Sequence, residues 1–361
     1  KAAVPCRKQY EATLEGWEGD VGDQSHQAAL LQDLQETGYR AAQHRAGYSL
    51  GQPQAADTGS AQCRCIGIDN LPGNVTVALG GHQVQYPLSF GTHCDAWDAG
   101  VHPDCTGFNS AAWCGQHWCF VDPCSCNLAT TPVVSSYFPD ALSNGRPLYY
   151  SYATCGAVDH FTAESHDTAC VNQASLSACS ALDRCEWTLD RGCVGRDLAG
   201  ANCAVTRRSD QAVLGNTTCP CIGIGGRNGT AEVTTIAGHG PVSYSGNIGS
   251  QCSAWDDDHA PDCQGPADTR PSWCHTSWCY VDPCNCGLDV APKVNTYFPN
   301  ARYHNNRVYY SYATCSGSGA NQGAADTYTV TNNPNACVNQ HSQVDCEAQG
   351  SGCLWALVSV S

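Results

Sequence analysis

Cysteine is the residue type with most chemical potential in this chain, and its spacing decides between two chemistries. The run Cys114-x4-Cys119-x4-Cys124-x-Cys126 returns as Cys274-x4-Cys279-x4-Cys284-x-Cys286, and either run could hold a soft metal or close into bridges. Zinc knuckles prefer Cys-x2-4-Cys pairs separated by a longer loop, which these runs do not follow. The chain carries 27 cysteines in 361 residues. Thiols in that number suit an oxidising compartment, where they close into disulfides. Bridges are therefore expected at Cys63, Cys65, Cys94, Cys105, Cys114, Cys119, Cys124, Cys126 and Cys155, and at Cys219, Cys221, Cys252, Cys263, Cys274, Cys279, Cys284, Cys286 and Cys315. Their connectivity does not follow from spacing.

Carboxylates are the second candidate. Asp98 and Asp104, with Asp256 and Asp262, sit in acidic stretches that could bind calcium, a cation that takes carboxylate and carbonyl oxygens. No EF-hand pattern is present, and a solvated acidic loop has the same composition. Asp122 and Asp282 each precede a proline inside a cysteine cluster, which reads as a turn that caps backbone N–H groups. Catalysis finds little support. No Gly-x-Ser-x-Gly elbow, His-Glu-x-x-His or P-loop occurs. The histidines mostly fail to recur: His93 faces Gln251 and His117 faces Ser277, while only His82 and His239 correspond. A glycosidase built on two carboxylates needs no local motif and is the one enzyme class left open. No catalytic residue is assigned.

The aromatic residues, 9 tryptophans and 16 tyrosines, could stack on sugars. Trp97, Trp113 and Trp118 flank cysteines, however, and indoles beside disulfides usually build the core of a small domain. Asn74, Asn216 and Asn228 open Asn-x-Thr triplets and are the expected N-glycan sites. Glycans and calcium are the only non-protein groups expected.

Positioning these residues falls to a repeated module. Trp113-Cys114-Gly-Gln-His-Trp118-Cys119-Phe-Val-Asp122-Pro123-Cys124-Ser-Cys126 returns as Trp273-Cys274-His-Thr-Ser-Trp278-Cys279-Tyr-Val-Asp282-Pro283-Cys284-Asn-Cys286, and Tyr149-Tyr150-Ser-Tyr152-Ala-Thr-Cys155 returns as Tyr309-Tyr310-Ser-Tyr312-Ala-Thr-Cys315. Cys63-Arg-Cys65-Ile-Gly-Ile likewise matches Cys219-Pro-Cys221-Ile-Gly-Ile. Chance does not produce such self-similarity. Twelve cysteines match between the copies, Cys63 to Cys185 and Cys219 to Cys353. Cys6 pairs by position with Cys203, and Cys193 has no counterpart, so copy two holds an odd number. An odd cysteine in a secreted chain implies a free thiol, a cross-link or further sequence.

The copies divide the chain into residues 1–62, an arm with one helix over 25–37 and a polar linker; residues 63–198, the first module with a mini-module at 170–193; and residues 199–361, the second module with that mini-module shortened. Runs of period two at 75–79, 84–90, 148–152, 242–244 and 308–312 predict short strands. Asn144-Gly145 and Asn305-Asn306 predict turns before the tyrosine strands. A short helix is expected around 176–182. The expected fold is a tandem of small disulfide-rich modules, mostly β and irregular, α+β with few short helices, carrying a two-fold internal repeat and an N-terminal helical arm.

The two long blocks resemble cysteine-rich modules of secreted and surface proteins from microalgae and related protists, over residues 63–193 and 219–355. That resemblance implies an extracellular tandem-module protein and carries no catalytic residue with it. Composition agrees. The net charge is −16, which disfavours nucleic acid as a partner. No run of 18 apolar residues exists to insert in a membrane. The first residues do not read as a signal peptide and methionine is absent, as in a mature chain whose leader has been removed. The reading is a secreted, non-catalytic structural glycoprotein whose partners are copies of itself, joined head-to-tail into a filament, wall or surface coat at the cell surface or on an appendage. A lectin-like protein that binds extracellular glycans is the alternative, and a secreted hydrolase a second one.

Overall fold

The computed structural model describes residues 56–165, 170–196 apart from 184 and 189–191, 211–234, and 240–315 apart from 289 and 291. The expected helix at 25–37, Cys6, Cys203, His239 and the second mini-module lie outside them. The described residues belong to one unit, Ala56–Asn339.

Alternating burial builds the first hairpin. In β1 (Gly73–Leu79), Val75 and Val77 are buried while Asn74 and Ala78 are exposed. Its partner β2 (His82–Pro87) buries Tyr86 and exposes Gln83 and Gln85. The run expected to continue to Phe90 ends at Pro87. Leu88 and Phe90 are fully buried, but the chain turns there, with Phe90 N–H donating to the Pro87 carbonyl.

The two sequence blocks then become adjacent strands. β3 (Cys119–Val121) and β4 (Val133–Val134) flank the later β7 (Tyr149–Ser151), with Cys119, Phe120 and Val121 opposite Ser151, Tyr150 and Tyr149. Between them, β5 (Leu142–Ser143) and β6 (Arg146–Pro147) turn at Asn144-Gly145, both at positive φ. Past β7 come α1 (His160–Ser165), α2 (Leu176–Ser180), β8 (Cys185–Thr188) and β9 (Gly192–Gly195). Ser175 caps α2 by accepting from Ala178 N–H; Cys179–Cys193 ties α2 to the β8–β9 hairpin, and Cys170–Cys185 ties the preceding turn to it.

The second half begins with α3 (Gln211–Leu214), β10 (Gly215–Asn216), β11 (Cys219–Pro220), β12 (Ile224–Gly225), β13 (Gly229–Val233) and β14 (Val242–Ser245). Then β15 (Cys279–Val281), β16 (Lys293–Val294) and β19 (Tyr309–Ser311) form a three-stranded sheet, and β17 (Arg302–Tyr303) pairs with β18 (Asn306–Arg307). The turn expected at Asn305-Asn306 lies one residue earlier. Tyr303 pairs with Asn306, so the two central residues are His304 and Asn305, both at positive φ. A two-residue hairpin demands that conformation of both central positions, and the register leaves no other pair.

Bridges follow one scheme in each half. Cys63–Cys126, Cys65–Cys119, Cys94–Cys155 and Cys105–Cys114 correspond to Cys219–Cys286, Cys221–Cys279, Cys252–Cys315 and Cys263–Cys274. Cys124 and Cys284 are also disulfide-bonded. The Cys-x4-Cys-x4-Cys-x-Cys runs are thus distributed over separate bridges. The Ala-Thr-Cys ends of the tyrosine blocks serve the same framework, because Thr154 and Thr314 donate their hydroxyls to the carbonyls of Cys63 and Cys219.

The halves meet in a single sheet of order β14-β13-β1-β2, joined at its centre by antiparallel β1 and β13. Gly73 faces Ala231, Asn74 faces Thr230, and Val75 faces Gly229. Hydrogen bonds continue past that register, from Thr76 N–H to Asn228 and from Glu232 N–H to Pro72. A second seam joins β12 to β5, with Gly225 opposite Leu142, and Asp69 bridges Arg302 in the corresponding way. Arg227 is buried in this join, donates to the Leu88 carbonyl at 2.9 Å, and has its pKa pushed down to about 10 by burial.

Gly73 is the tightest point of the seam. Its φ is +129°, and a Cβ there would lie 1.9 Å from the Thr230 carbonyl oxygen, a backbone atom that cannot step aside. Gly73→Val is expected to destabilise the chain by at least about 2 kcal/mol. Gly80→Ala is the control, since Gly80 has φ +55° but no atom within 4 Å of its Cβ position. The control should cost about 1–2 kcal/mol from conformation alone. Equal losses in thermal melts would show that the seam contributes nothing.

Candidate functional site

Two places gather polar side chains: a buried carboxylate in each half, and a cleft between the halves.

Asp98 is 1% exposed, and its carboxylate is gripped entirely by donors. The Tyr86 and Tyr137 hydroxyls donate to Oδ1 at 3.2 and 2.7 Å, and the Trp118 indole N–H donates to Oδ2 at 2.8 Å. Asp256 repeats the arrangement with Tyr244, Tyr297 and Trp278 at 3.2, 2.6 and 2.7 Å. These two aspartates were half of the expected calcium set. Three of the roughly four lone-pair sites of each carboxylate are thus taken by protein donors, and neither aspartate belongs to a cluster of three or more metal-ligating side chains among the described residues. The other two members lie apart from them: the Asp104 side chain is mostly exposed, 3.8 Å from His102, and Asp262 is exposed. The intervening acids of the second stretch are neutralised instead, Asp257 and Asp258 each lying 2.6 Å from Arg270. Trp113 and Trp118 are buried with their counterparts Trp273 and Trp278, so their faces are core and not a sugar platform.

Burial raises the pKa of Asp98 and Asp256 above the ordinary carboxylate value, and the Tyr and Trp donors offset only part of that shift. The sign follows from linkage. The folded chain binds these two protons more tightly than the unfolded one, whose carboxyls titrate near pH ~3.9. Their contribution to stability is therefore greatest in acid and is lost as pH rises from about 4 through the folded pKa. The stability difference between the native chain and the double variant Asp98→Asn/Asp256→Asn should shrink over that window. A difference that grows with pH in thermal melts would contradict the assignment.

The cleft is larger, about 300 Å³, and both halves line it. The Asp-Pro turns contribute Asp122 and Asp282. Each carboxylate accepts from the N–H two residues on, Cys124 or Cys284, at 3.0 Å, which fulfils the capping role read from sequence. Asp122 is further engaged by the Ser125 hydroxyl at 2.8 Å and by Arg146 at 3.4 Å. The hairpin turns contribute Ser143 and Asn144 from one half, Tyr303 and His304 from the other; the Cys-x-Cys strands contribute Arg64 and Pro220. His304 Nε2 lies 2.8 Å from the Cys65 carbonyl, which fixes the N–H on that nitrogen and leaves Nδ1 as an acceptor. Burial lowers the His304 pKa, with Arg64 adding to the shift, so the ring is neutral at neutral pH. Burial and the nearby Asp282 and Asp122 carboxylates raise that of Tyr303 and keep its hydroxyl protonated.

Of the cleft residues, sequence reasoning found only the two aspartates. Arg64, Tyr303 and His304 were missed because they do not repeat. Their one signal is difference: Pro220, Ser143 and Asn144 occupy the matching positions inside otherwise conserved blocks of the repeat.

The only groups of three or more metal-ligating side chains close enough to share an ion among the described residues are the disulfide sulfurs Cys65, Cys94, Cys119 and Cys155 and their counterparts Cys221, Cys252, Cys279 and Cys315. No described helix is long and apolar enough to cross a membrane. Comparison with known proteins finds no family model, no curated protein and no solved structure that matches this chain.

Proposed function

We propose that the chain is a secreted, non-catalytic structural glycoprotein that assembles head-to-tail with copies of itself, as a subunit of a filament, wall or surface coat. The observation that carries this reading is the sheet shared by the two halves. Asn74 and Thr230 hold equivalent positions in the two copies and face each other, so the join has the form of a symmetric dimer interface inside one chain. One copy of the module already recognises another through strand pairing.

The sheet has two further edges. Thr76 directs its N–H toward β13, which places Gln85, opposite it on β2, with N–H and carbonyl pointing outward. No described strand pairs with that edge of β2 or with the outer edge of β14. Open edges are templates for another chain, and a β2-to-β14 contact between molecules is heterologous, so it propagates unless the rotation closes.

Other features agree with this reading. The bridges suit an oxidising, extracellular compartment. Asn74, Asn216 and Asn228 are all exposed, as glycan acceptors must be.

Light scattering after size exclusion, with imaging of the largest species, tests the proposal. Assemblies far above the 38.2 kDa chain mass are expected, and Gln85→Pro, which removes an outward N–H from no existing ladder bond, should dissolve them; Gln85→Ala, which loses the same side-chain bond to the Thr76 hydroxyl but keeps the outward N–H, should leave them intact. A monomer at every concentration would sink it.

A further inference from the structure

We propose that the cleft between the two halves is a binding site for one neutral saccharide, an activity beyond the assembly role and independent of it. Its volume, about 300 Å³, lies at the lower end of small-molecule sites and admits a ligand of one or two sugar rings. Charge selects the class. Two carboxylates, Asp122 and Asp282, are balanced by two guanidiniums, Arg64 and Arg146, and His304 is neutral. A phosphate would meet the carboxylates and a metal cation the guanidiniums, whereas a polyhydroxylated neutral ligand can use both.

The groups left over match that chemistry. Asp122 and Arg146 hold each other, but among the described residues the second carboxylate oxygen of Asp282, the Tyr303 hydroxyl and the Arg64 guanidinium have no hydrogen-bond partner. They supply an acceptor, a group that both donates and accepts, and a planar donor. Sugar hydroxyls donate and accept together, so such a mixed set is complementary to them. All three groups line the same cleft. The site is single. In the first half the positions of Tyr303 and His304 hold Ser143 and Asn144, so the cleft has one polar aromatic wall and the stoichiometry is one per chain.

The test is saturation-transfer NMR and calorimetry on the full glycosylated chain with glucose, galactose, mannose, xylose, N-acetylglucosamine and their β-linked dimers, and with inorganic phosphate and calcium as charged probes. At least one neutral sugar should bind with one site per chain. Asp282→Asn and Tyr303→Phe should each weaken it about tenfold, the loss of one buried hydrogen bond, while Ser177→Ala, on the exposed face of α2 and outside the cleft, leaves it unchanged; melting temperatures of all three should stay near native. Absence of binding by every sugar in the panel would overturn the proposal. So would sugar binding indifferent to both variants, or phosphate or calcium occupying the cleft in preference.

Discussion

Asp98→Ala is expected to cost at least about 3 kcal/mol of stability, and Asp256→Ala a similar amount. The reason is not a lost ion pair but three stranded donors. With the carboxylate gone, the Tyr86 and Tyr137 hydroxyls and the Trp118 indole N–H stay buried in the core without their acceptor. Each orphaned buried donor costs on the order of 1–3 kcal/mol. In thermal melts the loss should amount to roughly 10 °C. The origin can be isolated by a second substitution. Tyr137→Phe alone removes one hydrogen bond and should cost about 1 kcal/mol. Added to Asp98→Ala it removes a stranded hydroxyl and should cost nothing or restore stability. Additive losses would mean that Asp98 acts through packing alone, and the donor cage would lose its explanation.

That cage also shows how far sequence reasoning reached. Asp98 and Asp256 recur in both copies, so their importance was legible, but repetition does not distinguish a ligand from a buried anchor. The distinguishing partners are Tyr137 and Tyr297, 39 and 41 residues further on, and no local pattern connects them. The tyrosine strands and the Asp-Pro turns were legible because each rests on local chemistry: alternation, two-residue turns, a carboxylate two residues from the N–H it caps. Strand β13 was not. Its sequence Gly-Thr-Ala-Glu-Val alternates correctly, with Ala231 and Val233 buried, but glycine and glutamate are poor strand formers, and β1 supplies the pairing that holds it. The central seam follows from that strand, so it was hidden with it.

Replacing Cys94 and Cys155 by alanine should cost about 4 kcal/mol, and replacing Cys105 and Cys114 about 2.5 kcal/mol, because a bridge acts mainly by restricting the unfolded chain and the effect grows with the loop it closes. The two bridges span 61 and 9 residues. Cys252–Cys315 and Cys263–Cys274, spanning 63 and 11, should repeat the order in the second half. The native state adds to the contrast. Cys94 Sγ lies 3.8 Å from Cys65 Sγ, so the long bridge packs against Cys65–Cys119, and removing it opens space between two bridges as well as freeing the chain. It also frees the segment that holds Thr154 on the Cys63 carbonyl. Denaturant melts of the four paired variants decide the matter. If the short bridges prove as costly as the long ones, chain entropy is not what these disulfides supply, and the stability of each half rests on its aromatic core and its donor cage.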